Sequence, residues 1–196
     1  PGFVELARDS KEFNTVVQRF TYRPDGSPPA FACSAIVRIE RVQNSVAYRA
    51  YATKREQIAS LPRNGGNPNE VWMKHGTSGT DPKVIVKGEV GLDFRYCDAG
   101  FYGRATYLAE DTDYSDRGYA FKTPTGDRQI LLVRVARGTV FQAPDVDRTL
   151  RMPPAGHDSV RGWVAGDKQT AAAGNQAVMV YDVSQCYPEY LVTYRK

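Results

Sequence analysis

The last third of the chain constrains the fold most. RQILLVRVARG, AVMVYDV and EYLVTYR are runs rich in β-branched and aromatic residues, the composition that suits a pleated and well-packed surface. Strands dominate from there to the C-terminus, whereas the helical signals lie earlier. Phe13, Val16, Val17 and Phe20 recur at helical spacing behind a possible cap at Asp9-Ser10. The loop RPDGSPP, residues 23–29, ends that helix. AIVRIERV, residues 35–42, reads as a strand, and Asn44 is placed to cap a second helix that runs to about Ser60 and stops before Pro62. Helices early and strands late predict an α+β fold on a largely antiparallel sheet.

Between these blocks the elements are short. After the loop RNGGNPN, Glu70 to Lys74 reads as a strand leading into His75. Asp81-Pro82 combines a cap with proline at the first helical position, and Gly88 suits a C-terminal cap, so residues 82–87 form a short helix. TYLA reads as a short strand behind the turn-rich CDAGFYGRA, and Asp113 opens another short helix over DYSDRGYAF. No internal repeat is visible, and AAAGN at 171–175 is too short to count as low complexity.

Composition narrows the function. A chain of 196 residues with 41% hydrophobic content can bury a sizeable core, and its length fits one domain, residues 1–196, expected to be excised from a longer protein. Lys and Arg number 26 against 22 Asp and Glu, an excess of +4 that is interspersed along the sequence. That permits a phosphate-bearing ligand but lacks the clustered stripe of a nucleic-acid binder. Cys33, Cys97 and Cys186 are far apart and odd in number, with only His75 and His157 to assist, so neither a disulfide framework nor a metal site is expected. Reduced, structural cysteines fit an intracellular protein of cytoplasm or nucleus. No run approaches the ~18 apolar residues of a membrane span, and the start PGFVELARDSKEFN lacks the form of a signal peptide. A monomer with no membrane partner is expected.

The chemistry gathers where strands meet loops. WMKHGTS sets His75 at the point where an apolar run gives way to Gly-Thr-Ser. An imidazole there suits proton transfer, metal ligation or gripping a sugar hydroxyl, and it equally suits a structural histidine at a strand end. His75-Gly76-Thr77, Tyr107 to Ala109, and Ser115 with Tyr119 share the same character. Tyrosine faces can sandwich a planar ring, and Gly76 leaves its backbone amide and carbonyl approachable for a carboxamide.

In this combination the chain resembles the catalytic domain of the poly(ADP-ribose) polymerase family, the diphtheria-toxin-like ADP-ribosyltransferases. KHGTS matches the family's HGT/HGS motif, YGRATYLAEDTDYS its YGKGxYFAxxxxxS block, GHDSVRG its YDSVxG-type segment and VYDVSQCYPEYLVTY its closing strands. The matches are collinear from about residue 70 to the C-terminus and continue more weakly through RIERVQN. The resemblance implies the ADP-ribosyltransferase fold, a largely antiparallel split sheet with peripheral helices, and NAD as co-substrate without a metal.

Carried over by position, the resemblance implies that His75 donates to a ribose 2′-hydroxyl of NAD and that Gly76 clamps the nicotinamide carboxamide, with Thr77 beside it. Ser115 adds a hydroxyl to the carboxamide, Tyr107 lies under the nicotinamide ring, and Tyr119 stacks on the other face. The loop YCDAGFYG resembles the family's donor-site loop, with Phe101 or Tyr102 touching NAD. Arg104, Ala105 and Leu108 depart mildly from the pattern, and His157, where Tyr is usual, receives no role. A larger departure lies in AVMVYD. Family polymerases place a glutamate on this strand, and counting back from Tyr181-Asp182 puts Ala177 there, so the triad reads His75, Tyr107, Ala177. The implied activity is therefore transfer of a single ADP-ribose to an acceptor protein, the chain itself included, or to a nucleic-acid phosphate end. The alternative is an inactive domain of the same fold that binds NAD or a partner.

Overall fold

The computed structural model describes residues 1–27, 31–164 and 176–196. The strands are β1 (Gly2–Glu5), β2 (Ala35–Gln43), β3 (Glu70–His75), β4 (Thr106–Ala109), β5 (Phe121–Lys122), β6 (Arg128–Ala136), β7 (Val140–Gln142), β8 (Ser159–Trp163), β9 (Gln176–Val180) and β10 (Cys186–Arg195). The helices are α1 (Lys11–Thr21), α2 (Ser45–Ser60), α3 (Pro82–Val86) and α4 (Thr112–Gly118). This is the expected α+β class. The strands lie in the order β1-β2-β10-β6-β3-β4-β9-β8-β7, with β5 pairing β6 off that path. Among the described residues every pairing is antiparallel except β7 with β8.

The continuous apolar run of β6 follows from its place inside the sheet. Ile130 and Leu132 pack on one face with Phe13, Val16 and Phe20 of α1, while Leu131, Val133 and Val135 pack on the other with Val42, Leu108 and Val178. A strand covered on both faces needs no polar alternation. The helix caps behave as their residues dictate. Ser10 accepts from Phe13 N at 3.0 Å, and Asn44 accepts from Ala47 N at 3.1 Å. The Asn44 amide also donates to the carbonyls of Val86 and Gly88, which fastens the end of α3 to the start of α2.

Three readings need correction. The short helix α4 is capped by Asp111, whose carboxylate accepts from Asp113 N at 2.9 Å, rather than opening at Asp113. It ends at Gly118, and Phe121–Lys122 is strand. The cysteines are free, as expected, but only Cys186 is buried; Cys97 is exposed and packs no core. The end of the proline loop and the AAAGN segment lie outside the described residues.

The sheet is split where the site lies. Between β3 and β4 the ladder amounts to one residue pair, Lys74 with Ala109, whereas β3 pairs β6 over six positions. Beyond that pair the two halves diverge and open a cleft between the end of β3 and the face of β4.

Candidate functional site

His75 is the last residue of β3 and replaces the missing ladder. Its Nδ1 lies 2.8 Å from the backbone carbonyl of Tyr107 on β4, an acceptor the opposing strand leaves available. A carbonyl cannot donate, so Nδ1 carries the proton. Burial lowers the His75 pKa, with the Tyr107 carbonyl opposing, so the imidazole is neutral at physiological pH and its Nε2 is an acceptor. The sequence reading has His75 as the donor to a ligand hydroxyl; in this tautomer the ring proton is committed to the backbone, and Nε2 would meet a hydroxyl in the cleft as an acceptor.

Gly76 is required by packing. A Cβ built there would sit 2.3 Å from the carbonyl oxygen of Tyr119, whose oxygen also accepts from Ser78 N at 2.7 Å. The HGT turn is thus pressed against the C-terminal end of α4. The Thr77 hydroxyl donates to the Thr80 carbonyl at 2.6 Å, which closes the turn.

The helix α4 carries Ser115 and Tyr119 and is clamped by the residue between them, Asp116. That buried carboxylate receives Arg128 of β6 at 2.7 Å, the Tyr194 hydroxyl of β10 at 2.7 Å and Lys196. These partners hold its pKa below the usual carboxylate range although burial alone would raise it. At the other end Asp111 pairs with Arg23, and the Thr112 hydroxyl donates to the Phe20 carbonyl. Lys74, fully buried, donates to the carbonyls of Tyr22 and Glu110; burial lowers its pKa to about 8.

Tyr107 is half-buried on β4 and stitches the donor-side loop. Its hydroxyl accepts from Tyr102 N at 2.7 Å and donates to the Gly103 carbonyl at 2.9 Å. Gly100 lies against the ring, since a Cβ there would approach the Tyr107 ring carbon Cζ to 2.7 Å. Burial raises the Tyr107 pKa to about 12, so the hydroxyl stays protonated and keeps both roles.

His75, Gly76, Thr77, Phe101, Tyr107, Ser115, Tyr119 and Ala177 all line one cavity of about 840 Å³. Such a volume lies within the usual range of ligand sites. These eight motif residues therefore reach the same cleft, and Tyr102 does not. Ala177 sits on β9, opposite Ala109 of β4 and Gly162 of β8. Of the two loop aromatics, Phe101 lines the cleft, while Tyr102 is buried and donates its hydroxyl to the Trp163 carbonyl. His157 stands outside, edge-on to Phe141.

Residues 10–178 match the poly(ADP-ribose) polymerase catalytic domain. The chain belongs to that family. A probable poly [ADP-ribose] polymerase of Dictyostelium discoideum is 28% identical over 98% of this chain and 52% of its own length. The human protein mono-ADP-ribosyltransferases PARP14 and PARP12 are 28% and 27% identical over 98% and 99% of this chain, which spans 10% and 26% of their lengths. The chain thus covers about half of the Dictyostelium relative and a smaller part of the human ones. Family membership accounts for the split sheet and for the collinear order of the motifs around the cleft.

Tyr114 and Arg148 are among the cleft residues that escaped the motif reading. Tyr114 lines the cavity beside Ser115, with its hydroxyl 3.2 Å from that of Tyr119 and ring centroids 5.3 Å apart. Its place directly before Ser115 on a short helix was the available signal. Arg148, in the connection from β7 to β8, also lines the cavity. A single arginine in a loop offers no pattern from which to find it.

Proposed function

We propose that this domain is an NAD-dependent mono-ADP-ribosyltransferase. The observation that carries the reading is the convergence of His75, Gly76, Tyr107, Ser115 and Tyr119 on one cleft whose position 177 is alanine. Nicotinamide lies between Tyr107 and Tyr119, its carboxamide on the Gly76 backbone and the Ser115 hydroxyl, and the adjoining ribose donates a hydroxyl to His75 Nε2. Aromatic faces and fixed hydrogen bonds orient the ring so that the bond to the sugar can break.

The acceptor oxygen bonds to the anomeric carbon as the carbon–nitrogen bond breaks, and its electron pair returns to nicotinamide, which leaves neutral. The methyl group of Ala177 can deprotonate no incoming hydroxyl, and a positioned base typically supplies ~10²- to 10⁴-fold. A carboxylate or phosphate acceptor needs no such base, which favours one transfer per site over chain growth. The names of the human relatives support mono-ADP-ribosylation, and the free cysteines support an intracellular setting. Intact-mass spectrometry after incubation with NAD tests the reading. Single ADP-ribose increments with matching nicotinamide release are expected. A ladder on one site would refute the mono-transfer reading, and NAD binding without any transfer would instead identify an inactive binding domain.

A further inference from the structure

Arg148 is a charge that the proposed reaction leaves without a task. It is an exposed residue of the β7–β8 connection, lines the cleft, and holds its guanidinium 4.7 Å from the ring centroid of Phe101. The connection that carries it is seated firmly. A Cβ on Gly103, whose φ of +73° favours glycine, would come within 1.9 Å of the Leu150 carbonyl oxygen, and Leu150 packs beside Tyr102, Tyr107 and Ala177. The charge of Arg148 also reaches the Tyr107 hydroxyl, where it opposes the dominant effect of burial.

The other cations of the cleft are committed. Lys74 is spent on two backbone carbonyls, and Arg95 is held by Asp93 at 2.6 Å. Among the described residues Arg148 has no carboxylate partner, so a planar, bidentate donor remains directed at whatever enters beside Phe101. It rises from the β7–β8 connection, whose Leu150 packs in the cluster that holds Ala177. We propose that Arg148 is the acceptor-anchoring residue of this domain, holding an acidic side chain of a protein acceptor against the ribose.

The inference rests on the transferase reading above and adds to it the residue that selects the acceptor. A carboxylate held there arrives already deprotonated. One of its oxygens forms the bond to the anomeric carbon while nicotinamide takes the electron pair of the broken bond, so a cation and an anion become a neutral ester and neutral nicotinamide. The surroundings favour protein over nucleic acid. Asp145 and Asp147 precede Arg148 in sequence, which breaks any basic track for a polyphosphate, and exposed Tyr96 and Phe101 rings line the cleft and suit apolar neighbours of the acidic residue.

The test compares wild type with Arg148→Gln, which keeps the stem and loses the charge, and Arg148→Lys, which keeps the charge. Substrates are NAD with a synthetic peptide bearing one glutamate, the same peptide with glutamine, and a 5′-phosphorylated oligonucleotide. Arg148→Gln is expected to raise KM for the glutamate peptide by about tenfold or more while KM for NAD moves by less than about twofold, and Arg148→Lys, which keeps the charge but not the fork, should recover only part of the loss. Transfer to the glutamate peptide should weaken with added salt. An equal rise in KM for NAD would reassign Arg148 to the NAD phosphates and overturn the proposal. So would unchanged peptide kinetics in Arg148→Gln, or preferential modification of the oligonucleotide. Wild-type protein that neither binds NAD nor releases nicotinamide would instead overturn the transferase reading itself.

Discussion

Replacing Gly76 with alanine tests whether the glycine of the HGT turn is there for the ligand or for the fold. A Cβ at Gly76 lies 2.3 Å from the Tyr119 carbonyl oxygen, 2.5 Å from its carbonyl carbon and 2.6 Å from its Cβ. Restoring ordinary contact at about 3.5 Å moves the Tyr119 backbone by about 1 Å. That shift breaks the 2.7 Å hydrogen bond from Ser78 N. Overpacking of this kind costs about 1–3 kcal/mol and the hydrogen bond about 0.5–1.5 kcal/mol. Lost backbone freedom in the unfolded chain offsets about 0.4–1 kcal/mol. The net destabilisation is about 0.5–4 kcal/mol, a fall in Tm of roughly 1–16 °C for a domain of this size. The matched control is Gly79→Ala in the same turn, whose added Cβ meets nothing within 4 Å. Thermal and urea melts of both variants decide the matter. If Gly76→Ala melts with wild type and loses only NAD binding, the packing argument is wrong and the glycine serves the ligand alone.

Tyr107→Phe removes the hydroxyl that joins Tyr102 N to the Gly103 carbonyl, so urea melts should show a loss of about 1–3 kcal/mol; an unchanged midpoint would mean that those loop groups bind water equally well. A benzamide should stabilise the domain by about 2.7 kcal/mol at 100 times its dissociation constant, and Ser115→Ala should weaken that effect; no thermal shift at saturation would sink the nicotinamide assignment. Because burial depresses the His75 pKa, its contribution to stability is complete above the unfolded value of about 6.5 and is lost as pH falls through the folded value. Acid titration of stability in wild type and His75→Gln should therefore diverge below about pH 6.5, with wild type steeper, and parallel curves would contradict it. Ala177→Glu places a carboxylate at a site that is 1% exposed, so burial raises its pKa and the variant loses stability relative to wild type as pH rises past the ordinary carboxylate range; a gap between variant and wild type that narrows with rising pH would refute that sign.

Local chemistry was legible in the sequence, and long-range pairing was not. Ser10, Asn44 and Asp81 cap their helices because a side chain two or three residues away from its amide partner needs no tertiary help. The long strands β2, β6 and β10 declared themselves through β-branched runs. Strands β1, β7 and β8 did not: GFVE and VFQ are too short for a period, and SVRGW interrupts its pattern with Arg161 and Gly162. Gly162 is there because Tyr102 occupies the space above it, where a Cβ would come within 2.2 Å of the ring, and that neighbour lies sixty positions away in sequence. The site divides in the same way. Motif order pointed to His75, Gly76, Ser115 and Ala177, but the proton direction at His75 depends on the Tyr107 carbonyl across the split in the sheet, which appears only when the two strands are placed.

That split also explains how the cleft keeps its shape with alanine at position 177. Ala109, Ala177 and Gly162 stand side by side across β4, β9 and β8, a row of small residues that admits the Tyr102 ring. The hydroxyls of Tyr107 and Tyr181 bind the Tyr102 amide and carbonyl, so that ring is fixed from both sides of its own backbone. This wall is therefore held by packing and needs no carboxylate to organise it. The polar groups of the HGT turn and α4 converge on the same cavity, and Arg148 lines it beside Phe101. On the proposed reading, a cleft divided in this way would bind and orient NAD yet provide no proton acceptor beside the ribose from position 177, so the nucleophile would bring its own negative charge.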